Sequence, residues 1–185
     1  MPDRLNKIVT RGGDKGKTSL GDGSRIAKTD PRVALLGDVD ELNSWIGVVL
    51  SHLQDGDVAT TLKGVQHDLF DLGGALCFPG MALLSERHVA RLDEATMTLN
   101  EGLPPLKEFI LPGGAPFLAW LHVARTVTRR VERAMAGFLS DAPEAAHGLQ
   151  YLNRLSDYLF IAARHEARTQ SVEEVLWRKQ ASLSR

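Results

Sequence analysis

Leu35-Leu36-Gly37-Asp38-Val39-Asp40-Glu41-Leu42-Asn43-Ser44-Trp45-Ile46-Gly47-Val48-Val49-Leu50-Ser51-His52-Leu53 is the stretch that decides the fold. Its apolar residues at 35, 39, 42, 46, 49 and 53 alternate steps of four and three, so they return to one face of a helix. A stripe of that width is what a helix buries against its neighbours in a bundle. Asp30 supplies an N-cap oxygen and Pro31 a first helical position whose missing N–H would be unpaired anyway, so the helix is predicted to begin there. The same rhythm recurs in Trp120, Ala124, Val127, Val131, Met135 and Phe138, within a helix expected over residues 115 to about 139. It recurs again in Leu149, Leu152, Leu155, Leu159 and Ala162, in a helix starting near Pro143. Two further helices are expected, over residues 57 to about 76 and 85 to about 100, the second ended by Gly102, Pro104 and Pro105. No segment alternates with period two long enough to build a sheet. The expected fold is all-α, a five-helix bundle with short connections and a glycine-rich N-terminal loop.

A chain of 185 residues with 43% hydrophobic and 24% charged residues fits one globular domain that needs no disulfide or metal staple. Its expected parts are an N-terminal loop over residues 1–29, a helical body over 30–178 and a tail over 179–185. Lysine and arginine number 22 against 23 aspartates and glutamates, which argues against nucleic acid or a membrane surface as partner. Residues 1–7 lack the apolar core of a signal peptide, and no stretch approaches the roughly 18 apolar residues of a membrane span, so a cytoplasmic location is expected. Cys77 is the only cysteine, which excludes an internal disulfide; between Leu76 and Phe78 it is expected to be a buried, small apolar residue.

Chemistry first shows in Thr10-Arg11-Gly12-Gly13-Asp14-Lys15-Gly16-Lys17-Thr18-Ser19-Leu20-Gly21-Asp22-Gly23-Ser24, which holds five glycines and reads as an irregular loop. It is not a phosphate-binding P-loop. That motif needs a glycine at position 11, where Arg11 stands, and a helix after the Ile8-Val9 run. The underlying physics still applies: glycines let N–H groups converge on phosphate oxygens while Arg11, Lys15, Lys17, Arg25 and Lys28 supply positive charge. The loop reads either as a polyphosphate cradle or as a solvated arm.

Further along, residues 125 to 133 contain four arginines in nine positions. At about 100° per residue, Arg125, Arg129 and Glu132 form one stripe that faces outward from the apolar stripe through Ala124, Val127 and Val131. The stripe is either an exposed basic surface with pairs such as Arg129 to Glu132, or a guanidinium rail for a triphosphate. If it is a rail facing away from its own core, a neighbouring subunit must wall the pocket. Phe109-Ile110-Leu111-Pro112-Gly113-Gly114 is a turn into that helix; its apolar residues plug a core, or Phe109 presses against a flat ligand. Asn153 and Asp157 lie one turn apart beside the leucine stripe of the last helix, available to a ligand or to a polar helix contact.

These stretches, with residues 37–43, 121–133 and 151–157, resemble the PduO-type ATP:cob(I)alamin adenosyltransferases. The five motifs occur in order over nearly the whole chain. The resemblance implies a ferritin-like five-helix bundle forming a homotrimer, with ATP held between the N-terminal loop of one subunit and the arginine helix of the next. It implies that Thr10, Arg11, Gly13, Asp14, Lys15, Gly16, Lys17, Thr18, Lys28, Arg125, Arg129, Glu132 and Asn153 bind ATP with Mg2+ on the triphosphate oxygens. It further implies that Asp40 pairs with Arg125 across the interface and that Phe109 faces the corrin, displacing the lower axial ligand so that an external, flavin-type reductant can produce cobalt(I). An adenosylcobalamin-dependent client enzyme is an implied partner. The family pattern often carries an aromatic residue near the carboxyl end that helps to close the corrin pocket, whereas this chain ends Ala181-Ser182-Leu183-Ser184-Arg185.

Two other classes compete. A carboxylate-bridged di-iron bundle needs two Glu-x-x-His elements and two further glutamates, and only Glu144-Ala145-Ala146-His147 is present. A non-enzymatic module that binds ATP and corrinoid for delivery would lack turnover.

Overall fold

In the computed structural model residues 9, 11–82, 84–138 and 146–183 are described. Five helices follow a small hairpin: β1 Lys17–Ser19, β2 Arg25–Ala27, α1 Pro31–Leu50, α2 Asp57–Cys77, α3 Glu86–Asn100, α4 Pro116–Phe138 and α5 Ala146–Thr169. The expected starts of α1 and α3 are borne out by their caps. The Asp30 carboxylate accepts from the Arg32 N–H at 2.9 Å with Pro31 at the first turn, and Ser85 and His88 form a capping box. The predicted ends at Leu139 and Pro143 lie outside the described residues.

The four-three stripes form the core. Leu42, Ile46, Leu62, Val65, Leu121, Ala124, Val131, Leu152, Leu155 and Leu159 are fully buried, each large aliphatic side chain contributing roughly 1.5–3 kcal/mol relative to exposure. Helix α1 packs against α2 and α4, while α5 packs against α4 and α3. Trp45 stacks on Trp120 at 5.4 Å, and Arg32 lies over the Phe138 ring at 4.9 Å, so α1 and α4 run antiparallel. Buried Asp68 on α2 ties the remaining helices together, accepting from the Tyr151 hydroxyl on α5 at 2.6 Å and from Arg91 on α3. Burial and the Asp68 charge push the Tyr151 hydroxyl well above its ordinary pKa, so it stays a neutral donor.

Two expectations need correction. Residues 10–24 do not form a wholly irregular loop: Lys17 pairs with Ala27 and Ser19 with Arg25 in an antiparallel hairpin. A three-residue strand is too short to display period-two patterning, and the turn Asp22-Gly23, with Ser24 N–H donating to Asp22 Oδ1 at 2.8 Å, closes it. Cys77 is half-buried rather than buried, because it ends α2 at the mouth of a surface groove.

Candidate active site

The head is organised around its glycines. Gly16 adopts φ +73°, a left-handed conformation that glycine tolerates without strain, and its carbonyl accepts from the Lys28 N–H at 2.9 Å. Lys28 folds back over Gly13 so closely that a Cβ there would lie 2.8 Å from its Nζ. Arg11 holds φ +56°, which costs a non-glycine residue about 1–2 kcal/mol. Arg25, read from sequence as one more positive charge, is structural: its guanidinium donates to the Gly12 carbonyl at 2.7 Å and to Ser19 Oγ at 3.2 Å. Lys15, Lys17 and Lys28 are exposed and Thr18 half-buried; the three lysines have no ion-pair partner among the described residues. Asp14 caps the turn through its N–H to the Arg11 carbonyl at 3.4 Å, and Thr10 lies outside the described residues. The head docks on the end of α2, where the Gly21 N–H donates to the Cys77 carbonyl at 2.9 Å and the Phe78 ring covers Gly21.

Asp40 is exposed on α1, in an open groove of about 350 Å³ that it shares with Leu36, Phe70, Gly73 and Phe78. Its carboxylate has no ion-pair partner among the described residues. The acids beside it are occupied, since Arg130 pairs with Glu41 and lies 3.9 Å from Asp38. Arg130 is therefore a clamp between α4 and α1, a role its place in the basic run did not reveal.

On the other side, Arg129, Glu132 and Asn153 line a cleft of about 520 Å³ between α4 and α5, together with Arg133 and Arg154. Glu132 does not pair with Arg129; its carboxylate accepts from Asn153 Nδ2 at 2.9 Å, which leaves Arg129 exposed and without an ion-pair partner among the described residues. Arg154 donates to Asn153 Oδ1 at 2.8 Å and is held by Asp93 at 2.9 Å, so the Asn153 amide is fixed from both ends. Arg125, expected to face outward, is half-buried. Its Nε is shut away from solvent with no hydrogen-bond partner, and burial, then the charge of Arg129, lowers its pKa from the ordinary arginine value. A guanidinium in that state carries unspent donors toward whatever covers it. Asp157 is exposed and outside the cleft.

No described head residue lines the α4/α5 cleft, and neither does Asp40. One chain thus brings Arg129, Glu132 and Asn153 together, gathers Gly13, Gly16 and Lys28 elsewhere, and leaves Asp40 and Arg125 without ion-pair partners among the described residues.

Phe109 stands 78% exposed at the entry to α4, held by its N–H to Glu108 Oε1 at 2.9 Å. It is no core plug. Behind it a cavity of about 190 Å³ is bounded by residues 110–114 and 173–175 and floored by His122, which is 6% exposed with Nδ1 unpartnered. Burial, then the charge of Arg125, pushes the His122 imidazole down to about 4, so it is neutral near pH 7. Read in one dimension His122 carries no signal of its own, since it lies inside a basic helix at a position bordering the apolar stripe. Among the described residues no group of three or more histidine, cysteine, aspartate or glutamate side chains could hold a metal ion, and no helix is long and apolar enough to cross a membrane.

The sequence pattern of the family described as cobalamin adenosyltransferase matches residues 8–166. A cobalamin adenosyltransferase from Cupriavidus metallidurans is 50% identical over 186 residues, covering 97% of this chain and 98% of the relative. Among solved structures, a phenylalanine-to-alanine variant of a PduO-type ATP:corrinoid adenosyltransferase from Lactobacillus reuteri, complexed with cobalamin and ATP, superposes with TM-score 0.87 at 36% identity, covering 94% of this chain and 100% of that one. An arginine-to-lysine variant of a PduO-type ATP:co(I)rrinoid adenosyltransferase from the same organism, complexed with ATP, gives TM-score 0.85 at 37% identity, covering 92% of this chain and 100% of that one. With five helices in the expected order and a pattern match that runs from the head through α5, this chain belongs to the cobalamin adenosyltransferase family.

Proposed function

We propose that the protein transfers the 5′-deoxyadenosyl group of ATP to cob(I)alamin or a related corrinoid, releasing triphosphate, at sites shared between subunits of a homotrimer. The observation that carries the reading is that the buried Arg125 Nε has no hydrogen-bond partner and neither Arg125 nor Arg129 has an ion-pair partner among the described residues, beside a cleft whose Glu132 and Asn153 are already mutually fixed. Two unpaired guanidinium groups on one helix face repel each other, and a polyphosphate relieves that repulsion.

The layout supports sharing. The head and Asp40 belong to the α1/α2 side, the arginine row to the α4/α5 side, so ATP bound by both needs two copies of the chain. In that arrangement Asp40 of one copy answers Arg125 of the next. Arg11, Gly13, Asp14, Lys15, Gly16, Lys17, Thr18 and Lys28, with Thr10, then cradle the triphosphate, while Arg129, Glu132 and Asn153 hold the nucleotide from the other side. Magnesium enters with ATP, on its phosphate oxygens.

In the reaction the cobalt(I) electron pair forms the Co–C5′ bond as the C5′–O bond breaks, and the electrons leave with triphosphate. No proton moves, so the residues have two tasks: to aim C5′ at cobalt and to stabilise the leaving charge. Arginines and lysines do the second at any cellular pH. Phe109, exposed and uncharged, suits the lower corrin face. An external flavin-type reductant, an adenosylcobalamin-dependent client enzyme and a cytoplasmic location complete the proposal. The test is to mix the protein with magnesium-ATP and chemically reduced corrinoid. Formation of a carbon–cobalt bond with one triphosphate released is expected; binding of both without product overturns the transferase reading.

A further inference from the structure

Residues 109–111 and 175–177 meet in a short antiparallel ribbon. The Trp177 N–H donates to the Phe109 carbonyl at 2.7 Å, the Leu111 N–H donates to the Val175 carbonyl at 2.8 Å, and Ile110 bridges to Leu176. A two-stranded ribbon of this length is marginal by itself. Packing does not hold it from below either, because its inner side borders the cavity of about 190 Å³ rather than filled core, and a wall next to a void lacks the contacts that would fix it. Its position must therefore be set at its roots, and both roots reach the same side chain. Arg164 on α5 is 5% exposed. Its guanidinium donates to the carbonyl of Pro104, in the loop that leads to Phe109, at 2.8 Å. Its Nε lies 3.4 Å from the carboxylate of Glu174, the residue before Val175.

We propose that Arg164 is a positioning residue for Phe109: one buried guanidinium ties the loop before Phe109 and the tail before Val175 to α5, and so holds the ribbon, and the Phe109 ring on it, out over the cavity. The proposal rests on the corrinoid-adenosylating reading above, in which Phe109 meets the lower corrin face. Arg164 lines neither the cavity nor the α4/α5 cleft, so it acts through the two loops and not on a substrate. A buried guanidinium is costly unless its donors are used, and here they are spent on two chain segments that nothing else in the core joins to each other. The role needs the planar fork, whose donors point to a carbonyl and a carboxylate in different directions. A lysine ammonium is a point charge on a flexible stem and holds one of them at a time. Released from the clamp, the ribbon has room to sink toward His122 and to take Phe109 with it.

The test uses the full-length protein with magnesium-ATP and cob(II)alamin, and reads from the corrin absorption spectrum the fraction of cobalt without a lower ligand. Arg164→Lys keeps the charge and removes the fork, and that fraction is expected to fall by about fivefold. ATP affinity should not change, and turnover of pre-reduced cob(I)alamin should fall far less than turnover that starts from cob(II)alamin. In a Phe109→Ala background the same substitution should have no further effect on the spectrum, because both changes act through one ring. With no corrinoid present, amide exchange at Leu111 and Trp177 should quicken by about tenfold in Arg164→Lys, while Leu155 and Leu159 in the core keep their protection. If Arg164→Lys does not fold, Glu174→Ala, which frees only the tail root at a half-buried position, carries the same expectations at smaller size. An unchanged spectrum, unchanged exchange in the ribbon or additive losses in the double variant overturn the proposal. So does an equal fall in both turnovers or a loss of ATP affinity, either of which makes Arg164 a general support of the bundle. A wild-type protein that forms no product, or a Phe109→Ala variant with the wild-type spectrum, overturns the reading of the site instead; the exchange measurement needs neither, so the two failures are distinguishable.

Discussion

Arg125 and His122, one turn apart on α4, show how burial gives similar polar residues different tasks. Arg125 keeps its charge while its buried Nε lacks a hydrogen-bond partner; His122 loses its charge to the same burial. Removing the guanidinium in Arg125→Ala takes away one stabilising donor set for the departing triphosphate, so kcat should fall by roughly 10²-fold with helix content intact. Near-wild-type turnover in that variant would remove Arg125 from the chemistry. His122 makes a separate expectation about pH. Its pKa is about 4 in the folded chain against an ordinary 6.5, so between those values the unfolded state binds the extra proton. Stability is therefore full above about 6.5 and is lost as pH falls toward 4, by about 1–3 kcal/mol at the lower limit. Denaturant melts of wild type and His122→Gln across that window should differ in slope, the variant being flatter; identical slopes would place the loss on other groups.

At the scale of elements, the head depends on two kinds of contact. Arg25 staples its turns from within, and the Gly21 to Cys77 hydrogen bond fastens it to α2. Its lysines meanwhile repel one another until an anion arrives. Magnesium-ATP should therefore suppress limited proteolysis between residues 12 and 24, and Lys15→Ala should raise the ATP requirement about tenfold while leaving the corrinoid requirement alone. Cleavage that ignores nucleotide would show that the head is not the cradle. Helix α4 has the opposite character, because its position is set by protein contacts alone: Val127, Val131 and Met135 inward, Arg130 to α1, and Glu132 to Asn153 on α5.

For the whole molecule, the separation of the head from the arginine row makes a quantitative expectation. If each site takes its head from one subunit and its arginines from the next, neither Arg125→Ala nor a Lys15→Ala/Lys17→Ala double variant has an intact site by itself. Co-expressed in equal amounts and mixed at random in a ring, a site has both good halves with probability one half times one half, so about a quarter of wild-type activity should return. No recovery beyond the sum of the two variants, or a monomer in sedimentation at working concentration, would mean that each chain builds its own site.

The sequence by itself determined the number, order and inward faces of the helices, because burial forces period 3.6 onto the residues and the caps at Asp30 and Ser85 mark where it begins. It also marked the glycine-rich head, since glycine and lysine at that density have little to pack against. What it could not decide was pairing between distant segments. Arg130 reads like Arg129 in a row of letters, yet only the crossing of α1 and α4 gives it Glu41, while Arg129 has no ion-pair partner among the described residues. The hairpin was hidden because strands of three residues carry no periodicity. Trp177 is a lone aromatic in a tail until the chain reverses after α5 and sets its N–H on the Phe109 carbonyl. Periodicity is local and survives in one dimension; a hydrogen bond between residues 109 and 177 exists only once the bundle has folded and brought both ends of the ribbon together.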